Sequence, residues 1–239
     1  GAEVAAPSQD LGVEPFLWLR LPPPGSLGSP SGAAGKEQGP LVVLSRGSVV
    51  GFRGDAIVNA ANTGCLGGGG VDGAISSAGG KSLLEARRAL PELDSRGKRC
   101  ETGDAKITIG GDLHAEWCIH AVGPNYRMME CKGMPTEEVD ALLKSAYLAS
   151  MALAAEKNIR SVGFSLLSAG IFRGDRSLRD VLEIGLAAIE EGAYPALQEV
   201  HLVAFMDEEI TCLDAVARRL WAGRPVGSPP AGDGDMRDD

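Results

Sequence analysis

Between Leu41 and Trp221, short aliphatic and β-branched runs alternate with longer segments of helical period, and this alternation limits the fold more than any other feature. Leu41-Val42-Val43-Leu44, Ala56-Ile57-Val58, Lys106-Ile107-Thr108-Ile109, Trp117 to Val122, Ser161 to Leu167 and Glu199 to Phe205 read as strands. Ala74 to Leu90 reads as a helix carrying turn signals at Gly79-Gly80, and Thr136 to Lys157 keeps the helical period over about six turns. Ser177 to Glu191 and Glu208 to Trp221 are the remaining helices. Strand–helix–strand–helix order predicts an α/β fold with a mainly parallel sheet covered on both faces. Ligands of such sheets sit beyond the carboxyl ends of the strands, where loops leave after Val58, Leu167 and Phe205.

At 239 residues the chain can hold one sizeable core. The expected domain spans 40–224, preceded by a partly flexible extension over 1–39 and followed by a flexible acidic tail over 225–239. The extension is rich in Ser, Gly, Ala and Pro from Gly25 to Gly39, a composition that cannot bury enough apolar surface to order itself. Within it, Phe16-Leu17-Trp18-Leu19 is a candidate extra strand. No apolar run approaches the ~20 residues of a membrane span. The start lacks the basic-then-apolar pattern of a secretory signal and carries Gly in place of Met, as in a processed or excised chain. An intracellular protein of cytoplasm or nucleus, acting as a monomer, is the expectation, with an organelle left open.

A net charge of −9 argues against sequence-independent nucleic-acid binding, which depends on Lys and Arg neutralising phosphates. It leaves room for one small anion, because backbone N–H groups hold phosphates without basic side chains. The five cysteines include no Cys-x-x-Cys pair, so neither a disulfide framework nor a structural zinc site is expected, and no metal or cofactor is called for. Cys118 and His120 share a strand face, but two ligands do not make a metal site.

The loop after Val58 reads Asn59-Ala60-Ala61-Asn62-Thr63-Gly64-Cys65-Leu66-Gly67-Gly68-Gly69-Gly70-Val71-Asp72-Gly73-Ala74-Ile75. Four consecutive glycines let backbone approach a ligand closely, and they lead into a helix whose first N–H groups are unpaired and whose end is electropositive. The stretch from Asp55 to Ile75 is therefore expected to wall a nucleotide-diphosphate pocket. It lacks the Gly-Lys-[Ser/Thr] ending of a P-loop and the spacing of a dinucleotide fingerprint. Ser168-Ala169-Gly170-Ile171-Phe172-Arg173-Gly174-Asp175 offers a second small-residue turn for another phosphate.

These segments, with Ile119-His120-Ala121-Val122-Gly123-Pro124, resemble the macrodomain family, and within it the MacroD-type hydrolases, over roughly residues 41–222. The resemblance implies a three-layer α/β/α fold around a mixed, mainly parallel sheet, with an ADP-ribose cleft and no metal. It implies that Asn62 bonds the distal ribose hydroxyls and that Gly67, Gly68, Gly69, Gly70 and Val71 wrap that ribose and one phosphate. Ser168, Ala169, Gly170, Ile171 and Phe172 would hold the diphosphate, with Phe172 near the distal ribose. Ala60 and Val49 would line the cleft, Phe205 would stack on adenine, and Asp72 would be the catalytic acid, with Asn62 beside it. Other roles compete: Asn62 suits a turn, Asp72 suits the first turn of any helix, Phe205 ends an apolar strand, and His120 fits a satisfied interior position.

One departure stands out from the family pattern. Its Gly-Asp-Ile turn, whose Asp accepts the adenine amino proton, is here Arg46-Gly47-Ser48-Val49. A neutral hydroxyl at Ser48 makes the weaker bond, so looser adenine discrimination is expected unless Asp207 or another acid substitutes. The activity implied is hydrolysis of esters at the distal ribose of mono-ADP-ribosylated Asp or Glu side chains, or of O-acetyl-ADP-ribose. A non-catalytic ADP-ribose reader and an ADP-ribose 1″-phosphate phosphatase are the alternatives. Poly-ADP-ribose glycohydrolases use a Gln-Glu-Glu motif that has no counterpart, the only glutamines being Gln9, Gln38 and Gln198. Zinc-dependent macrodomains need a Cys/His ligand set that is also missing.

Overall fold

The computed structural model describes residues 12–24 and 39–224. Seven strands, β1 (Glu14–Arg20), β2 (Leu41–Arg46), β3 (Ala56–Ala60), β4 (Ala105–Ile109), β5 (Trp117–Ala121), β6 (Ser161–Ser165) and β7 (Glu199–Ala204), form one sheet in the order β1-β2-β7-β6-β3-β5-β4. The inner strands β2, β7, β6, β3 and β5 are parallel, while β1 and β4 close the two edges antiparallel. Among the described residues, five α-helices accompany the sheet: α1 (Gly70–Arg88), α2 (Tyr126–Cys131), α3 (Thr136–Glu156), α4 (Leu178–Glu191) and α5 (Asp207–Leu220). The short α2 was not legible as an element in the sequence. It is held by Asn125, whose side-chain oxygen accepts the Met128 N–H at 3.1 Å.

Side chains of a strand alternate between faces, and the alternation sorts the core into two layers. Val42, Leu44, Val58, Ile119, Phe164 and Leu202 pack with Leu143, Tyr147 and Met151 of α3, Leu186 of α4 and Leu213 of α5. On the opposite face Ile57, Cys118 and Val203 meet Phe52 and the α1 residues Ile75 and Leu83. The result is the expected α/β/α sandwich. The same alternation sends Ser45, Asn59, His120 and His201 to the α1 face, all fully buried. Buried polar groups seek partners, and each of these side chains finds at least one: Ser45 Oγ and His201 Nδ1 lie 2.8 Å apart, although His201 Nε2 and Asn59 Oδ1 make no hydrogen bond among the described residues.

Phe16 to Leu19 does add a strand to the sheet, within β1. Leu17, Leu19 and Leu21 are buried, so this part of the extension belongs to the domain. Residues 25–38 and the acidic tail over 225–239 lie outside the described residues. No helix among the described residues is long and apolar enough to cross a membrane.

The span of α1 consists of two helical segments joined across a kink. Gly80 sits at φ 63°, ψ −157°, a backbone conformation open almost exclusively to glycine. The sequence signal at Gly79-Gly80 is thus a sharp bend, and it reverses the course of the helix enough to matter for the site.

Candidate functional site

Loops leaving the carboxyl ends of all five parallel strands enclose a cleft of about 800 Å³, a size suited to a nucleotide-like ligand. Gly47, Ser48 and Val49 follow β2, while the segment after β3 contributes Asn62, Gly68, Gly69, Gly70, Val71 and Asp72. Gly123 follows β5; Ser168, Gly170, Ile171 and Phe172 follow β6; Phe205, Met206 and Glu209 follow β7. Ala60, at the end of β3, also faces the cleft. Gly67 and Ala169 are not among the lining residues. They lie behind the two lips, where the Gly67 carbonyl accepts the Asn62 side chain at 2.9 Å and Ala169 is buried.

The wall does not begin at Asp55, as the sequence suggested. Asp55 precedes β3 and lies at the amino end of the sheet, where its Oδ2 accepts the N–H groups of Arg160 and Ser161 at 2.7 and 3.0 Å. It borders a separate polar hollow of about 440 Å³ with Arg53, His114 and Glu199. Ile75 likewise points into the core. The wall proper runs from Ala60 to Ala74.

Both lips present backbone donors. The first N–H groups of α1 have no partner within the helix, and the amides of Gly170 and Ile171 donate to no acceptor among the described residues. Ser168 adopts φ 54°, uncommon for a side-chain-bearing residue. Its hydroxyl donates to the Pro124 carbonyl at 2.8 Å, tying the β5 and β6 loops together. That hydroxyl is thereby occupied, so the second lip acts through its backbone.

Asn62 uses both ends of its amide on its own loop, donating to the Gly67 carbonyl and accepting the Gly64 N–H at 3.0 Å. It fixes the turn and also borders the cleft. Asp72 is buried, only 3% exposed. Its Oδ1 accepts from Asn59 Nδ2 at 2.8 Å and from Arg87 Nη2 at 2.5 Å, while Oδ2 has no partner. Gly68 packs over both side chains: a Cβ there would lie 3.1 Å from Asn62 Nδ2 and 3.1 Å from Asp72 Oδ2. Only glycine leaves that space open.

Behind Asp72 stands a buried polar chain. Asn59 Nδ2 lies 3.2 Å from His120 Nδ1, and His120 Nε2 lies 2.9 Å from Thr108 Oγ1. Burial, reinforced by the Arg87 charge, pushes the His120 pKa down to about 3. The imidazole is neutral at ordinary pH, with Nδ1 accepting from Asn59 and Nε2–H donating to Thr108. It is the satisfied interior histidine the sequence favoured. Arg87 was not foreseen; it sits 15 residues from Asp72, about 22 Å along a straight helix, and only the Gly80 bend brings them together.

At the far end, Ser48 caps a 3-10 turn (Val49–Gly51), accepting the Val50 N–H at 3.4 Å. Phe205 does not enter the core: it is 75% exposed, at the mouth of the cleft. Asp207 turns outward, 3.8 Å from Arg46, and does not line the cleft. The acid that does is Glu209, whose Oε2 accepts the N–H groups of Phe205 and Met206 at 3.0 Å each. Sequence reading missed it because Glu209 lies within a predicted helix, where a capping acid looks ordinary.

A seven-stranded α/β/α sandwich with a glycine-lipped cleft at its carboxyl edge defines the class of fold. The chain belongs to the macro domain family, whose model matches residues 58–181. A Cupriavidus necator macro domain-containing protein is 45% identical over 156 residues, covering 64% of this chain and 84% of that one. Mouse ADP-ribose glycohydrolase MACROD1 is 41% identical over 156 residues, covering 65% of this chain and 44% of its own length. The Trypanosoma brucei macrodomain, solved in complex with ADP-ribose, is 32% identical with a TM-score of 0.60, covering 73% of this chain and 68% of that one.

Proposed function

We propose that the cleft binds ADP-ribose and that the protein hydrolyses an ester at the distal ribose, releasing either an Asp or Glu side chain or acetate. The observation that carries this reading is Asp72 Oδ2, a buried carboxylate oxygen with no partner, beside Asn62 and the glycine lip. Leaving such an acceptor unpaired is unfavourable, so a ribose hydroxyl donated to it stabilises the complex. The diphosphate lies across the N–H groups of α1 and of the Gly170 turn, with the base toward Ser48, Val49 and Phe205. The family relationship and the ligand of the Trypanosoma brucei structure support the same placement.

In the reaction, water attacks the ester carbonyl, the acyl–oxygen bond breaks, and the ribose oxygen leaves as a hydroxyl. Asp72 either orients the ribose through a neighbouring hydroxyl or takes the proton from the attacking water and returns it to the leaving ribose oxygen, and the rigid lips align ester and water. Orientation supplies most of the rate, as befits a cleft without a strong nucleophile. The direct test is release of ADP-ribose from a protein mono-modified on an acidic side chain. Wild type should turn over, and Asp72→Ala should lose at least roughly 100-fold in kcat. Tight ADP-ribose binding without any turnover by the wild type would overturn the hydrolase reading. That outcome would favour a reader, a role consistent with Asp72 already being ion-paired to Arg87.

A further inference from the structure

Arg87 is 1% exposed, and each arm of its guanidinium meets a different residue in or behind the cleft wall. Nε donates to the Cys65 carbonyl in the glycine loop, Nη1 to Ser76 Oγ at 2.8 Å, and Nη2 to Asp72 Oδ1 at 2.5 Å. Ser76 in turn donates to the Asp72 carbonyl at 2.7 Å, so residue 72 is gripped through both side chain and backbone. We infer that Arg87 is a positioning residue: it locks Asp72 with Oδ2 turned to the bound ribose and clamps the glycine loop through Cys65. The inference rests on the reading of Asp72 given above.

Two physical points favour positioning over bulk stability. A buried ion pair adds little net stability compared with an apolar filling of equal volume, because both charges lose water. What a planar guanidinium adds is direction, since its donors lie in one fixed plane and three acceptors together fix that plane. With Oδ1 saturated by Arg87 and Asn59, the carboxylate cannot swing, and Oδ2 is the one oxygen left for a ligand. Cys65 is held at φ 54°, so its carbonyl direction depends on a partner that Arg87 provides. The two halves of α1, folded back at Gly80, thus supply the carboxylate and the group that orients it.

The test compares wild type, Arg87→Ala, Arg87→Lys, Asp72→Asn and the Arg87→Ala/Asp72→Asn double variant of the full chain. ADP-ribose affinity is measured by calorimetry and turnover on the acid-linked mono-modified protein. Arg87→Ala should lose roughly 10- to 100-fold in kcat, more than it changes KM. Low concentrations of methylguanidinium should restore part of that loss to Arg87→Ala and none to Asp72→Asn. The double variant should be no slower than Asp72→Asn alone, since a positioning residue has nothing left to position. A folded Arg87→Ala enzyme within about twofold of wild type, losses that multiply in the double variant, or absence of guanidinium rescue would each overturn the inference. If Arg87→Ala does not fold, Arg87→Lys decides: it keeps the charge but not the fork, so wild-type kcat there overturns the inference and a roughly tenfold drop supports it. If the wild type itself shows no turnover, the hydrolase reading fails while the positioning is read from affinity. ADP-ribose binding weakened about tenfold in Arg87→Lys then supports it, and unchanged binding overturns it.

Discussion

Asp72 and His120 belong to one buried hydrogen-bond network. Asn59 donates to both, so the carboxylate and the neutral imidazole share one amide. His120 has a consequence for stability. Its pKa falls from 6.5 to about 3 in the fold, mainly through burial and then through the Arg87 charge. Between those values the unfolded chain binds the proton and the native protein does not, so stability is intact above about pH 6.5 and declines as pH falls toward 3. The expected slope from this group is about 1.4 kcal/mol per pH unit. Urea unfolding between about pH 7 and pH 5 should show it in wild type and show a flatter dependence in His120→Gln. At the end of the cleft where we propose the base to lie, Glu209 is the lining carboxylate and Ser48 is occupied with its own turn. Glu209→Gln should therefore reduce the preference for ADP-ribose over its hypoxanthine analogue by several-fold, on the order of the gap between charged and neutral acceptors. Ser48→Ala should leave that ratio nearly unchanged. The ratio is the proper readout, because Glu209 also caps α5 and its loss weakens both ligands together. A large drop for Ser48→Ala would place the base against the hydroxyl instead.

At the level of elements, the bend of α1 decides whether a site exists. Gly80 combines a glycine-only backbone conformation with a crowded neighbour, since a Cβ would lie 2.1 Å from Asp112 Oδ2. Asp112 is exposed and can move aside, so backbone strain dominates, and Gly80→Ala should lower stability by about 1–3 kcal/mol. Because the bend sets the register of Arg87 against Asp72, the same variant should also bind ADP-ribose more weakly. Calorimetry beside urea denaturation checks both, and a destabilised variant with unchanged affinity would separate the bend from the site. The helix period and its glycine break were legible from residues 74–90. That the break folds Arg87 back onto Asp72 was not, since spacing along a chain carries no information once the axis turns.

For the molecule as a whole, β1 closes the sheet edge beside β2. Leu19 is 4% exposed on it, and Leu19→Ala should cost about 2–5 kcal/mol, measurable as a lower urea midpoint. A loosely attached appendage would lose no more than about 0.5 kcal/mol. β1 lies outside the residues matched to the family model, yet it is part of this chain's core. Assembly of the cleft is likewise a property of the whole: five loops distant in sequence meet because five parallel strands all end on one side. The sequence pointed to three of those loops by their strand ends, and to the Ser48 turn through the family resemblance.

Local pattern by itself settled the alternation of strands and helices and the glycine-rich and small-residue turns that form the two lips, while the family resemblance pointed to Asn62 and Asp72, both of which border the cleft. The alternation and the turns follow from periodicity and backbone chemistry, which operate over a few residues. Only the tertiary structure decided that Asp55 faces the opposite end of the sheet, that Phe205 stays at the mouth of the cleft, and that Glu209 lines the cleft beside it. It alone placed Arg87 behind Asp72. Each of these depends on where separate segments come to lie once the sheet and the α1 bend are formed, and no spacing along the chain encodes that distance.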